Sequence, residues 1–170
     1  NLASVWTGEK LFLFGGVNSA GTCSNTYATY DPKLDSWSSS RSNGSGCGCA
    51  SDAYLVDNHI VVVSEGAWCQ YSLDTEQWLQ VPPRPNNRTS TGRTSIAINA
   101  NSVELFAFGG SSQTSDGVLD AYSPANETWR STPVFSPNTP SSGANAEWMG
   151  CGLWVWPSTG VGSNSYYFIP

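Results

Sequence analysis

The side chains able to do chemistry are few in this 170-residue chain, and they are scattered. There is one histidine, His59, with no nucleophile or orienting carboxylate at a recognisable spacing. General acid–base catalysis needs a proton carrier held against its target and aligned by a third group. In the run Val56-Asp57-Asn58-His59-Ile60 the imidazole reads as a turn residue instead. The acids are equally isolated. Glu65 and Glu147 stand alone, and Asp116-Gly117 with Asp120 lacks the D-x-D-x-D-G spacing of a calcium loop. Paired carboxylates for glycoside hydrolysis must lie within several ångströms of one another, and no spacing here specifies such a pair. Gly15-Gly16 and Gly109-Gly110 are not followed by the Lys-Ser/Thr and helix of a phosphate loop. The sequence therefore points to no catalytic residue, no metal set and no cofactor.

The five cysteines are Cys23, Cys47, Cys49, Cys69 and Cys151. Low charge and few lysines favour an extracellular or secreted setting, where thiols pair. Cys47-Gly48-Cys49 is too tight for an easy mutual bridge, so each is expected to reach a distant partner. Two disulfides and one leftover thiol is the expectation, with free buried cysteines of a cytosolic protein as the alternative. A C-x-C pair and one histidine do not make a tetrahedral zinc set. Asn-x-Ser/Thr triplets at Asn43, Asn87 and Asn126 mark possible glycan sites in predicted turns, although 13 asparagines among many Ser and Thr residues make such triplets common by chance.

Net charge is −6, and the seven basic residues form no stripe, so no nucleic-acid partner is expected. No run of 18 apolar residues is present to span a bilayer as a helix. Charged residues make up only 12% of the chain while aromatics reach 12%, a balance that suits strands and turns rather than helices.

The elements that must carry these residues announce themselves by repetition. Tyr30 and Trp37, Tyr71 and Trp78, and Tyr122 and Trp129 are each seven positions apart. Two of these pairs follow an apolar run closed by a glycine pair, Leu11 to Gly16 and Leu105 to Gly110. A repeat of this length decides architecture ahead of local propensity. Turn punctuation then divides each repeat into four strands. They are expected at Ala3–Thr7, Lys10–Phe14, Thr26–Tyr30 and Ser36–Ser39, then at Ser51–Val56, Ile60–Val63, Trp68–Tyr71 and Gln77–Val81. A Pro/Asn linker, Pro82–Thr91, precedes Thr94–Asn99, Val103–Phe108, Val118–Tyr122 and Thr128–Ser131. After a second linker come Ala146–Cys151, Leu153–Trp156 and Ser165–Ile169.

Phe14-Gly15-Gly16, Tyr30-Asp31-Pro32 and Trp37, repeated as Phe108-Gly109-Gly110, Tyr122-Ser123-Pro124 and Trp129, resemble a kelch-repeat β-propeller. The resemblance covers roughly residues 3 to 133 and, more loosely, the remainder. It implies an all-β fold of four-stranded antiparallel blades, with repeat residues Gly15, Gly16, Tyr30, Trp37, Tyr71, Trp78, Gly109, Gly110, Tyr122 and Trp129 in structural roles at blade-to-blade contacts. The blades would span about 1–40, 47–82, 92–133 and, incomplete, 143–170, one propeller unit of about 3.75 blades. Closed kelch rings usually hold more blades, so the resemblance implies completion by other chains or by further sequence. Some family members are copper oxidases, an activity that one histidine does not support.

The remaining aromatics carry the functional expectation. Trp148, Trp154, Trp156, Tyr166 and Tyr167 could form a protein interface, where Trp and Tyr concentrate binding energy, or stack on sugars. Trp154 and Trp156 alternate with Val155, so one face of that strand should be aromatic. The expected activity is non-catalytic protein–protein binding or assembly. Carbohydrate binding is the alternative, and a portion of a larger propeller enzyme the second alternative.

Overall fold

The structure is a computed structural model. It describes residues 2–44, 47–64, 67–85, 89–98, 104–111, 118–133, 144–150, 152–157 and 166–168. Every regular element among them is a β-strand, and they form antiparallel sheets. Among the described residues no helix is long and apolar enough to cross a membrane. The chain separates into two compact units, Asn1–Val81 and Pro82–Pro170.

In the first unit, β1 (Ala3–Trp6), β2 (Leu11–Phe14), β3 (Thr26–Asp31) and β4 (Ser36–Trp37) form the first sheet in chain order. The fourth strand was expected to run on to Ser39. It breaks after Trp37 and resumes as β5 (Arg41–Ser42), which pairs with the other end of β3. Across the break, Ser38 N–H donates to Thr29 O at 2.8 Å and Thr29 N–H donates to Ser38 Oγ at 2.9 Å, so a side chain replaces one rung of the ladder. The second sheet holds β6 (Ala50–Val56), β7 (His59–Ser64), β8 (Cys69–Ser72) and β9 (Trp78–Gln80), again in chain order. The β6–β7 connection is the two residues Asp57-Asn58, with Asp57 left-handed at φ 52°, and His59 begins the strand rather than sitting in the turn.

In the second unit, β10 (Thr89–Ile98), β11 (Leu105–Ser111), β12 (Val118–Ser123) and β13 (Thr128–Pro133) form the third sheet. The fourth contains β14 (Ala144–Trp148), β15 (Leu153–Pro157) and β16 (Tyr166–Phe168). Gly15 and Gly16 take φ of 80° and 109°, as a glycine pair leaving a strand should. A Cβ on Gly15 would meet the Ala50 Cβ at 3.2 Å, so this glycine also lets the second sheet approach. Gly109 and Gly110 differ: both lie inside β11, with Gly109 paired to Thr94.

Strand alternation gives each sheet two faces, and in each unit two sheets pack face to face. Ala3, Val5, Phe12, Phe14 and Tyr27 of the first sheet meet Ile60, Val62, Cys69, Tyr71 and Trp78 of the second. In the second unit Phe106, Leu119 and Ala121 of the third sheet meet Ala146, Trp148, Leu153 and Val155 of the fourth. Two disulfides fasten the first unit. Cys23–Cys49 ties the β2–β3 loop to the approach of β6, and Cys47–Cys69 anchors that approach to β8. Four of the five cysteines are thus paired, each to a distant partner, and Cys151 lies outside the described residues.

The segment read as a linker is structured where it is described. Arg84 is buried and binds Asp120 of β12, with Nη2 at 2.7 Å and Nε at 3.1 Å from Oδ2. Asp120 Oδ1 accepts a further bond from Ser131 Oγ at 2.6 Å. The strand read as starting at Thr94 begins at Thr89, inside the supposed linker.

Candidate functional site

The repeated Tyr and Trp are cross-strand partners. Tyr30 pairs with Trp37, Tyr71 with Trp78 and Tyr122 with Trp129, each between the third and fourth strands of its sheet. Their ring centroids lie 5.0, 5.1 and 4.9 Å apart, all tilted. The tight hairpin between them explains the seven-residue spacing. Two residues before each Trp stands an acid with positive φ: Asp35 at 46°, Glu76 at 54° and Glu127 at 54°. One residue after each Tyr, an oxygen-bearing side chain braces the turn. Asp31 Oδ1 accepts from Lys33 N–H, Ser72 Oγ from Thr75 N–H, and Ser123 Oγ from the Asn126 amide.

The acid of each turn also acts on its tyrosine. Tyr30 Oη donates to Asp35 Oδ1 at 2.6 Å, and this bond raises the phenol's pKa. Tyr71 is pushed up to about 12, chiefly by burial, with Tyr27 and Glu76 adding to it. Burial raises Tyr122 as well, assisted by Glu127.

Register extends each pair into a row across its sheet. In the first sheet the row is Trp6–Leu11–Tyr30–Trp37, and in the second Leu55–Ile60–Tyr71–Trp78. The third sheet has Ile98–Leu105–Tyr122–Trp129, and the fourth has Trp148–Leu153–Phe168. The second row is covered by the first sheet: Trp78 lies 5.1 Å from Phe14, 5.4 Å from Tyr27 and 6.0 Å from Phe12. In the third row Leu105 and Tyr122 are fully buried. Trp129 Nε1 there donates to Pro82 O at 2.8 Å, and the Arg84 guanidinium stands 5.9 Å from its ring. In the fourth row Trp148 stacks on Phe106 at 5.5 Å with a 10° interplanar angle.

The first row is the exception. Trp6 is 50% exposed and Trp37 is 55% exposed. Trp37 is therefore not buried by another sheet, although its repeat equivalent Trp78 is partly buried between two. An aromatic row spanning a whole sheet and open to solvent is the main candidate binding surface of this chain.

The remaining expected residues fall into two groups. Trp154 is 41% exposed while Val155 is buried, so the alternation read from sequence is real, and Trp156 is partly buried. Trp148, named beside them, is committed to packing on Phe106. Tyr166 and Tyr167 lie in β16, in register with Val155 and Trp154, and their side chains are outside the described residues. Asn43 is buried and its Nδ2, the atom that would carry a glycan, donates to Cys47 O at 3.2 Å. Asn126 is exposed, and Asn87, Glu65, Asp116 and Gly117 lie outside the described residues. No cluster of three or more His, Cys, Asp or Glu able to hold a metal occurs among the described residues. The sequence reading missed Leu11 as the link between Trp6 and Tyr30. Its signal was the matching position of Ile60 and Leu105, each the registered partner of a repeat tyrosine.

The fold and this surface define an all-β protein built from repeated antiparallel sheets of three to five strands. No family model matches the chain, and no curated protein matches it. Among solved structures it is similar to one described as "Structure of YjhT", with a TM-score of 0.61 and 14% identity over 91% of this chain. At that identity the likeness shows the fold alone, and the chain spans 57% of that neighbour's length.

Proposed function

We propose that this chain is a non-catalytic, extracellular binding and assembly module of the kelch-propeller type, and that its first sheet docks another β-sheet. The observation carrying this reading is the exposed row Trp6–Leu11–Tyr30–Trp37 set beside its covered equivalent Leu55–Ile60–Tyr71–Trp78. Within the first unit such a row is buried by a sheet whose second strand presents aromatic side chains, Phe12 and Phe14. The same arrangement recurs in the second unit, where Phe106 covers Trp148. A partner for the open row would therefore be a sheet with an aromatic second strand.

A second copy of this chain fits that description. Trp154 stands in the second strand of the fourth sheet, on the face opposite Val155 and partly exposed. It is the register equivalent of Phe12, because each follows the residue paired with the aromatic of the third strand. Head-to-tail docking of that face on Trp6 and Trp37 would bring three tryptophans into each contact, Trp154 from one copy and Trp6 and Trp37 from the other, the residue type that most often dominates interface energy. Two internal disulfides support an extracellular setting for it.

Sedimentation velocity across a concentration series tests the reading. The chain should associate as concentration rises, and a Trp6→Ser/Trp37→Ser variant should stay monomeric. A wild-type chain that remains monomeric throughout, with a profile matching the variant, overturns it.

A further inference from the structure

Between the two sheets of the first unit lies a cavity of about 280 Å³ that the docking face does not use. Phe12, Tyr27, Thr29, Ser38 and Arg41 line it from the first sheet and Tyr71 from the second. Phe12 and Tyr27 stack at 5.3 Å with an interplanar angle of 18°, so the cavity is aromatic on that side. Tyr27 and Arg41 are registered partners on β3 and β5, so the guanidinium leaves the sheet on the same side as that wall.

Arg41 is the informative residue. Its guanidinium, on an exposed residue, has no hydrogen-bond or ion-pair partner among the described residues, in a chain whose net charge is −6. The other cation of the lining, Lys10, stands 3.7 Å from Asp31 and is answered by it. Arg41 and Tyr71 line the same cavity, and the positive charge of Arg41 opposes the upward push that burial gives the Tyr71 phenol. The Arg41 side chain, aromatic walls and the hydroxyl-bearing residues Thr29, Ser38 and Tyr71 line one space.

We propose that this cavity binds a small monocarboxylate carried on a ring, with the carboxylate on Arg41 and the ring along Phe12, Tyr27 and Tyr71. The fork geometry of arginine matches a carboxylate in two parallel hydrogen bonds. Apolar walls with a few convergent polar groups are the usual form of a small-molecule site. Glu76, on the second-sheet side of the lining, repels a second negative charge, so a dianion such as phosphate is disfavoured. An aromatic acid and a sugar acid share the required chemistry, and the wall hydroxyls bear on which of them is held.

Calorimetric titration of the full chain with benzoate, glucuronate, benzyl alcohol and inorganic phosphate tests this site. At least one ring carboxylate should bind, and neither benzyl alcohol nor phosphate should match it. Preference for benzoate assigns an aromatic acid, and preference for glucuronate a sugar acid. Arg41→Ala should weaken binding by about tenfold or more, as loss of a charge-assisted hydrogen-bond pair does. Arg41→Gln, which keeps an amide donor but is shorter and uncharged, serves where the alanine variant does not fold. The site is overturned if neither carboxylate binds at about 10 mM, if benzyl alcohol or phosphate binds equally well, or if both Arg41 variants retain wild-type affinity.

Discussion

Phe14 and Trp78 meet across the gap between the first two sheets, with ring centroids 5.1 Å apart and planes tilted by 45°. Trp37 occupies the same repeat position as Trp78 and has no such covering ring. One side chain type in one local frame thus has two energetic roles, set by whether a neighbouring sheet is present. Trp78→Ala should cost about 3–5 kcal/mol, the range for removing a large aromatic from a packed site. Trp37→Ala should cost under about 1 kcal/mol in the monomer, as exposed substitutions do. Urea denaturation followed by circular dichroism separates the two, and equal costs would contradict this division of roles.

The buried Arg84–Asp120 pair makes the opposite kind of prediction, since its charges have left water. Arg84 and Asp120 side chains are 3% and 0% exposed, with N–O separations down to 2.7 Å. Arg84→Ala strands a carboxylate in the third sheet and should destabilise the second unit by about 3–5 kcal/mol. Replacing both members together, Arg84→Met with Asp120→Leu, should recover most of that loss, because no buried charge then remains. Thermal melts of the single and double variants test the point. A double variant no more stable than Arg84→Ala would show that the pair contributes by geometry and not by charge balance.

These two cases also show what was legible in the residues. Tyr-x6-Trp encodes a register, because a four-residue turn with a left-handed acid before the Trp brings both rings opposite one another. The strands and their order followed from that spacing and from turn punctuation. Arg84 was not legible. A Pro-flanked arginine looks like loop sequence, and its partner Asp120 lies 36 positions away in a strand whose other residues alternate normally. The break in the fourth strand of the first sheet was hidden for a related reason. Ser38 replaces a backbone rung through its hydroxyl, and Ser-Ser-Ser gives no sign of which serine does so. Burial of Trp78 against exposure of Trp37 lay beyond local sequence altogether, because it depends on which sheet faces which.

The two disulfides should differ in reactivity although their loops are similar, with sequence separations of 26 and 22. Loops of this length give a loss of about 2–4 kcal/mol when either bridge is removed by paired Cys→Ala substitution. Access divides them. Cys47 and Cys69 are fully buried in the core of the first unit, whereas Cys23 is exposed in the β2–β3 loop. Thiol–disulfide exchange requires an attacking thiolate to reach a sulfur atom. Mild reductant followed by alkylation and mass mapping should label Cys23 and Cys49 well before Cys47 and Cys69. Simultaneous labelling would mean that reduction waits for the whole unit to open.

The buried tyrosines give the chain a predictable alkaline limit. Burial, with Tyr27 and Glu76, lifts Tyr71 to about 12, and burial with Asp52 lifts Tyr54 to about 12. An unfolded tyrosine titrates near 10, so the unfolded chain loses these protons first as pH rises. A phenol whose pKa is higher in the folded state adds stability that is complete below the unfolded value and is lost as pH climbs to the folded one. Stability should therefore fall between about pH 10 and 12, with phenolate forming inside the core as the chain opens. Absorbance at the phenolate band should show Tyr71 ionising above the ordinary tyrosine range, in step with loss of the circular-dichroism signal. Tyr71→Phe should shift the alkaline midpoint upward, because it keeps the ring packed on Phe12 at 5.6 Å while removing the ionising group. A midpoint unchanged in that variant would assign alkaline unfolding to other groups.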